Sequence, residues 1–139
     1  MNKEQILKSR QILNDVADKI EANPKRYDQH NWCGTNCCIA GHIVFNAGAK
    51  RIKYEDSNVK FKNEVCDVSD LAIRLLMNGD RISNIDIIYN LFKSNPSFYW
   101  RPKWAKQWDK AATREEQAKI AADYIRKYII PKAFPLRKK

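Results

Sequence analysis

Both histidines and three of the four cysteines of this chain fall within thirteen residues, His30-Asn31-Trp32-Cys33-Gly34-Thr35-Asn36-Cys37-Cys38-Ile39-Ala40-Gly41-His42. Three kinds of chemistry fit such a cluster. The first is a metal site: His30, Cys33, Cys37 and His42 offer two imidazoles and two thiolates, a donor set that suits zinc. Their spacing matches no standard finger, in which two closely spaced pairs stand far apart. The second is nucleophilic catalysis by Cys37 or Cys38, since a thiol in the first turn of a helix feels the positive end of the dipole. Its base would be His30 or His42, with Asp28 as the orienting carboxylate. The third is interior packing, because free cysteine is among the most buried residue types.

A second constellation lies between residues 92 and 110. Phe92, Phe98, Tyr99, Trp100, Trp104 and Trp108 are interleaved there with Lys93, Arg101, Lys103, Lys106 and Lys110, against the one acid Asp109. Rings for stacking and cations for phosphates are what single-stranded nucleic acid binding requires. The structural alternative is a helix that buries its rings and turns its lysines outward.

The charge distribution points the same way. The chain of 139 residues carries a net charge of +10. Residues 1–69 hold eleven Lys/Arg against nine Asp/Glu, whereas residues 70–139 hold fifteen against seven. The last fourteen include Arg126, Lys127, Lys132, Arg137, Lys138 and Lys139 with no acid. This asymmetry predicts a nucleic acid or acidic protein as partner, met by Arg101, Lys103, Lys106, Lys110, Arg126, Lys127, Lys132 and Arg137. No cofactor is expected unless the cluster takes zinc.

The elements that must position these groups read as helices. Ile6, Leu13 and Ile20, with Val16 and Ala17, form one stripe and predict a helix over 3–22, stopped at Asn23-Pro24. A second, buried helix is expected to open near Thr35 or Asn36 and to end at Gly48. Alternation about a turn at 55–58 suggests a small β-hairpin around residues 51–62. Ser69 and Ser83 are candidate caps for the next two helices. Pro102 suits the first turn of a helix reaching Lys110. Thr113-Arg114-Glu115-Glu116 is a capping box opening a last helix that Pro131 should end. The fold class expected is mainly α: a single domain over 1–131 of about six helices, followed by a basic tail over 132–139. Four cysteines without a leader-like N-terminus fit reduced thiols in the cytoplasm, and no tract is long enough to span a bilayer. Oligomeric state is not legible.

The segment Trp32-Cys33-Gly34-Thr35-Asn36-Cys37-Cys38-Ile39-Ala40-Gly41 resembles the hallmark of a family of small uncharacterised proteins from bacteria and their phages. That hallmark runs Trp-x-Cys-Gly-Thr-x-x-Cys-(aromatic or Ile)-Ala-Gly, with one residue more between Trp and Cys. Asp28-Gln29, Leu75-Leu76, Leu91-Phe92 and Ala118-x-x-Ala121-Ala122-Asp123-Tyr124-Ile125 are similar to other parts of it. The resemblance implies a compact helical domain and a bacterial or phage setting, and an accessory protein, such as an inhibitor of a host system, fits both. It carries over no activity. Many members have an aromatic where this chain has His42.

Overall fold

A computed structural model of the chain describes residues 1–29, 38–55, 57–80 and 82–136. It is mainly helical with one small antiparallel sheet. Helix α1 (Lys3–Ala22) spans the predicted range, and Asn2 caps it by accepting a hydrogen bond from the Gln5 amide at 2.8 Å. Leu13, Val16, Ala17 and Ile20 are fully buried on its apolar stripe. The helix packs against α2 (Ile39–Asn46), α3 (Val68–Met77) and α7 (Arg114–Tyr124). α1 is therefore an inner element, and its buried face also carries two polar residues. Gln5 and Ser9 turn inward because both donate to the Leu76 carbonyl near the end of α3.

Helix α2 is buried along most of its length, as its uniformly apolar sequence requires. It opens at Ile39 rather than at Thr35 or Asn36, and those two caps lie outside the described residues. Cys38 stands at the cap in extended conformation with no side-chain bond to the helix.

The expected hairpin is a three-stranded sheet in the order β1 (Lys50–Arg51), β2 (Asn58–Phe61), β3 (Glu64–Asp67). Strand β2 pairs with β1 in the register Lys50↔Lys60, Arg51↔Val59, and with β3 from Asn58↔Asp67 to Phe61↔Glu64. Lys62 and Asn63 join β2 to β3 with φ of 49° and 65°, the pattern of a type I′ turn. Such turns usually hold Asn-Gly, so lysine at the first position concealed the second hairpin from the sequence.

Two predicted caps are not at the serines. Asp67, not Ser69, accepts from the Asp70 amide and opens α3 two residues earlier. Asn84, not Ser83, precedes α4 (Ile85–Leu91), and its side-chain amide reaches the Lys132 carbonyl at 3.2 Å. A short helix α5 (Pro96–Tyr99) leads into α6 (Pro102–Lys110), which has the predicted bounds. Thr113 Oγ1 accepts from the Glu116 amide at 3.1 Å and starts α7.

Pro131 does not end the last helix. The backbone widens into a π-helical stretch over Ile125–Ile129, where the Ile130 amide reaches back five residues to Ile125, and continues as α8 (Ile130–Ala133). A proline ring clashes with the carbonyl four residues back in a regular α-helix, and a wider turn relieves that clash. Ala133 and Phe134 are buried beyond it, and Arg10 of α1 donates to the Phe134 carbonyl at 2.7 Å.

The ends of α4 and α6 are tied to the segment after α1 by buried polar groups. Tyr27 Oη donates to Gln29 Oε1 at 2.9 Å, and Trp108 Nε1 donates to Tyr27 Oη at 3.3 Å. Gln29 Nε2 uses both protons, on the carbonyls of Leu91 and Lys93, each at 2.9 Å. Tyr27 and Gln29 are 0% and 1% exposed, so no water competes. Leu91 is the last residue of α4, whose carbonyl has no partner within the helix. Replacing Gln29 with leucine should leave the Leu91 carbonyl and the Tyr27 hydroxyl proton without partners, at about 1–3 kcal/mol for each unsatisfied buried group. The expected net loss is roughly 2–4 kcal/mol, read as a lower urea midpoint with an unchanged slope.

Candidate functional site

Of the His/Cys cluster, the described residues hold Cys38 and His42, with Asp28 just upstream. His30, Cys33 and Cys37 lie outside them. Cys38 is buried, at 1% exposed. The four-residue spacing does bring His42 back toward Cys38, but to its carbonyl and not to its sulfur: Nδ1 lies 2.9 Å from Cys38 O. A carbonyl can only accept, so Nδ1 carries the ring proton in neutral His42 and Nε2 is the acceptor. Asp28 lies against Arg114, its carboxylate 3.5 Å from the guanidinium, which also donates to the Lys25 carbonyl. That interaction ties the segment after α1 to the start of α7. Among the described residues, no three His, Cys, Asp or Glu side chains converge on a point that could hold a metal.

His42 also lines a small cavity of about 120 Å³ with Lys19, Asn23, Arg26, Phe45 and Asn46. Lys19 Nζ donates to Asn46 Oδ1 at 2.8 Å across it. The cavity lies between the last turns of α1 and α2, where helix dipoles are negative, and Lys19 and Arg26 offset that field.

The tryptophan-lysine stretch divides by face. Trp100 and Trp108 are buried and Trp104 is half-buried; Trp100 and Trp104 face the tyrosines of the last helical run. Trp100 stacks on Tyr124 with centroids 4.7 Å apart, and Tyr124 stacks on Tyr128 at 5.4 Å. Trp104 leans on both tyrosines, and Trp100 meets Trp108 edge to face. These rings therefore join α6 to α7 and the π stretch, and Trp100 and Trp108 are not open to a base. The buried Trp100 indole N–H has no hydrogen-bond partner among the described residues; its ring is held by stacking instead.

Other aromatics take the exposed role. Phe98 is 80% exposed, Tyr99 is 45% exposed, and Tyr89 of α4 is 44% exposed. The Lys93 ammonium lies 5.5 Å above the Tyr99 ring. Tyr89 was not singled out in the sequence, where it reads as one more apolar position on the inner side of α4. Its exposure depends on how that short helix is seated.

The predicted cations also divide. Lys103, Lys106 and Lys110 sit three and four residues apart on the exposed face of α6, and Arg101 lies 5.8 Å over the Tyr128 ring. Lys132 is exposed, and Arg137 lies outside the described residues. Arg126 is instead committed to α1, with contacts of 2.6 Å to Asp18 and 2.9 Å to Glu21. Its bond to Asp18 is the main reason its guanidinium holds its proton more tightly than usual. Lys127 pairs with Asp123 at 2.8 Å. Burial alone would raise the Asp123 carboxyl, but hydrogen bonds from Lys127 and Trp104, with the charges of Lys127 and Lys103, hold it below the ordinary range.

No family model, curated protein or solved structure matches this chain. Among the described residues, no helix is long and apolar enough to cross a membrane.

Burial raises the phenol of Tyr27 far above its ordinary value and that of Tyr124 to about 12, in the second case partly opposed by the Arg101 amide. In the unfolded chain both ionise near pH 10. Their neutral forms thus stabilise the fold fully below that pH, and the contribution falls as pH rises through 10 towards the folded values. Unfolding free energy measured from pH 8 to pH 12 should decline above pH 10, and Tyr27→Phe should flatten that decline.

Proposed function

We propose that this chain is a non-catalytic accessory protein that binds single-stranded nucleic acid on the face built by α4, α5 and α6. The observation that carries this reading is the 80% exposure of Phe98, with Tyr99 also exposed beside Lys93. A large apolar ring held in water next to cations is a stacking platform in the form that bases use. Lys93, Arg101, Lys103, Lys106 and Lys110 supply charge for the phosphates. No carboxylate lies within ion-pair distance of these five among the described residues. An acidic protein would use the same charges but gains less from exposed phenyl and phenol rings, so nucleic acid is the favoured partner. The bacterial or phage setting rests on the resemblance carried by the Cys-Gly-Thr segment. Arg126 and Lys127, already paired, are left out of the interface.

Fluorescence anisotropy with a labelled single-stranded oligonucleotide tests the reading across a salt series. Binding should be measurable at low salt, with log K falling by about 0.7 per phosphate contacted. Phe98→Ala should weaken binding by roughly 1–3 kcal/mol with the salt slope unchanged, because stacking releases no counterions. Replacing Lys106 and Lys110 together with glutamine should flatten the slope. Absence of binding at low salt contradicts the proposal.

A further inference from the structure

The sheet breaks two local rules at one place. Lys50 and Lys60 are directly opposed across the β1–β2 pair. Residues so placed have Cβ atoms about 5 Å apart, and like charges directly opposite destabilise a sheet. Lys62, two residues on, has a φ of 49°, a left-handed conformation that disfavours any side chain beyond Cα. Edge lysines often guard a strand against unwanted pairing, but Lys60 lies on the central strand, where no such protection is needed. No carboxylate among the described residues is within ion-pair distance of Lys50, Lys60 or Lys62. The three line a single open depression of about 290 Å³ together with Gly48 and Asn63.

The type I′ turn sets the φ of Lys62, but it does not account for lysines at these positions, and unfavourable residue choices that converge on one spot indicate a function. We propose that this depression is an oxyanion site for a phosphoryl group, carried either by a free phosphorylated compound or by a nucleic acid backbone. Three ammonium groups provide up to nine donors for the oxygens of such a group. A bound dianion also converts the Lys50–Lys60 repulsion into two attractions. The depression is shallow, so it fits a terminal or bridging phosphoryl group and not an enclosed ligand. The site does not depend on the α4–α6 reading, because the amides of the sheet report it separately from those of α5 and α6.

The test is an amide NMR titration of the full chain with pyrophosphate, the ionic strength being held constant with sodium chloride. The amides of Lys50, Lys60, Lys62 and Asn63 are expected to follow one saturating curve. Lys60→Thr should weaken that binding tenfold or more and leave the melting temperature equal or higher, since it removes the cross-strand repulsion. Lys62→Asn should raise the melting temperature and weaken binding severalfold, because asparagine tolerates the left-handed conformation. A single-stranded oligonucleotide then identifies the source. If it shifts the same amides and competes with pyrophosphate, the phosphoryl group belongs to a polymer; if it leaves them unmoved, the group comes from a free compound. Shifts that grow linearly without saturating, or that persist unchanged in Lys60→Thr, overturn the site.

Discussion

Gln29 hydrogen-bonds both Leu91 and Lys93 through one side-chain amide while accepting from Tyr27, which in turn accepts from Trp108. The five residues come from the segment after α1, from the end of α4 and the residues just past it, and from the last turn of α6. The Tyr27 hydroxyl and the Gln29 amide have no alternative partner in water, because both side chains are enclosed. An enclosed polar network stabilises a fold only when all its members are satisfied together. The constraint is therefore cooperative: α4 and α6 keep their positions relative to α1 together or not at all.

That constraint decides which aromatics serve the interior. With Trp108 directed at Tyr27, α6 is rotated so that Trp104 and Trp100 meet Tyr124 and Tyr128 of the last helical run. Lys103, Lys106 and Lys110 are then outward by helical periodicity alone. The same seating leaves α5 at the surface with Phe98 and Tyr99 uncovered. Burial of one set of rings and exposure of the other are thus two results of a single helix orientation. The π stretch contributes to it, since it carries the helix past Pro131 and spaces Tyr124 and Tyr128 into a stack with nearly parallel planes.

Much of this was legible from periodicity and breakers. The bounds of α1 and α6 follow from an apolar stripe and from prolines whose effect is local, and neither needs tertiary information. What escaped were features set by distant partners. Gln29 and Ser9 look like surface residues, and only a carbonyl 62 or 67 positions away explains their burial. Asp67 took the cap of α3 from Ser69 because of where the Asp70 amide lies, and Asn84 precedes α4 with its side chain spent on the Lys132 carbonyl, not on the helix. Pro131 reads as a stop, and the widened turn that accommodates it has no composition of its own. The cationic candidates were found by count, but pairing separated them: Arg126 is bound to two acids on α1 that charge counting treats as remote.

The account depends on the Gln29 amide being closed to solvent at the junction of α1, α4 and α6. Hydrogen exchange of the Gln29 side-chain amide and of the Trp108 indole N–H, followed by NMR in the native protein, examines that junction atom by atom. Both should be protected, and both should exchange only as fast as the most protected backbone amides of α1. Exchange at the rate of an exposed glutamine would mean that the junction is open and that the orientation of α6 has some other cause.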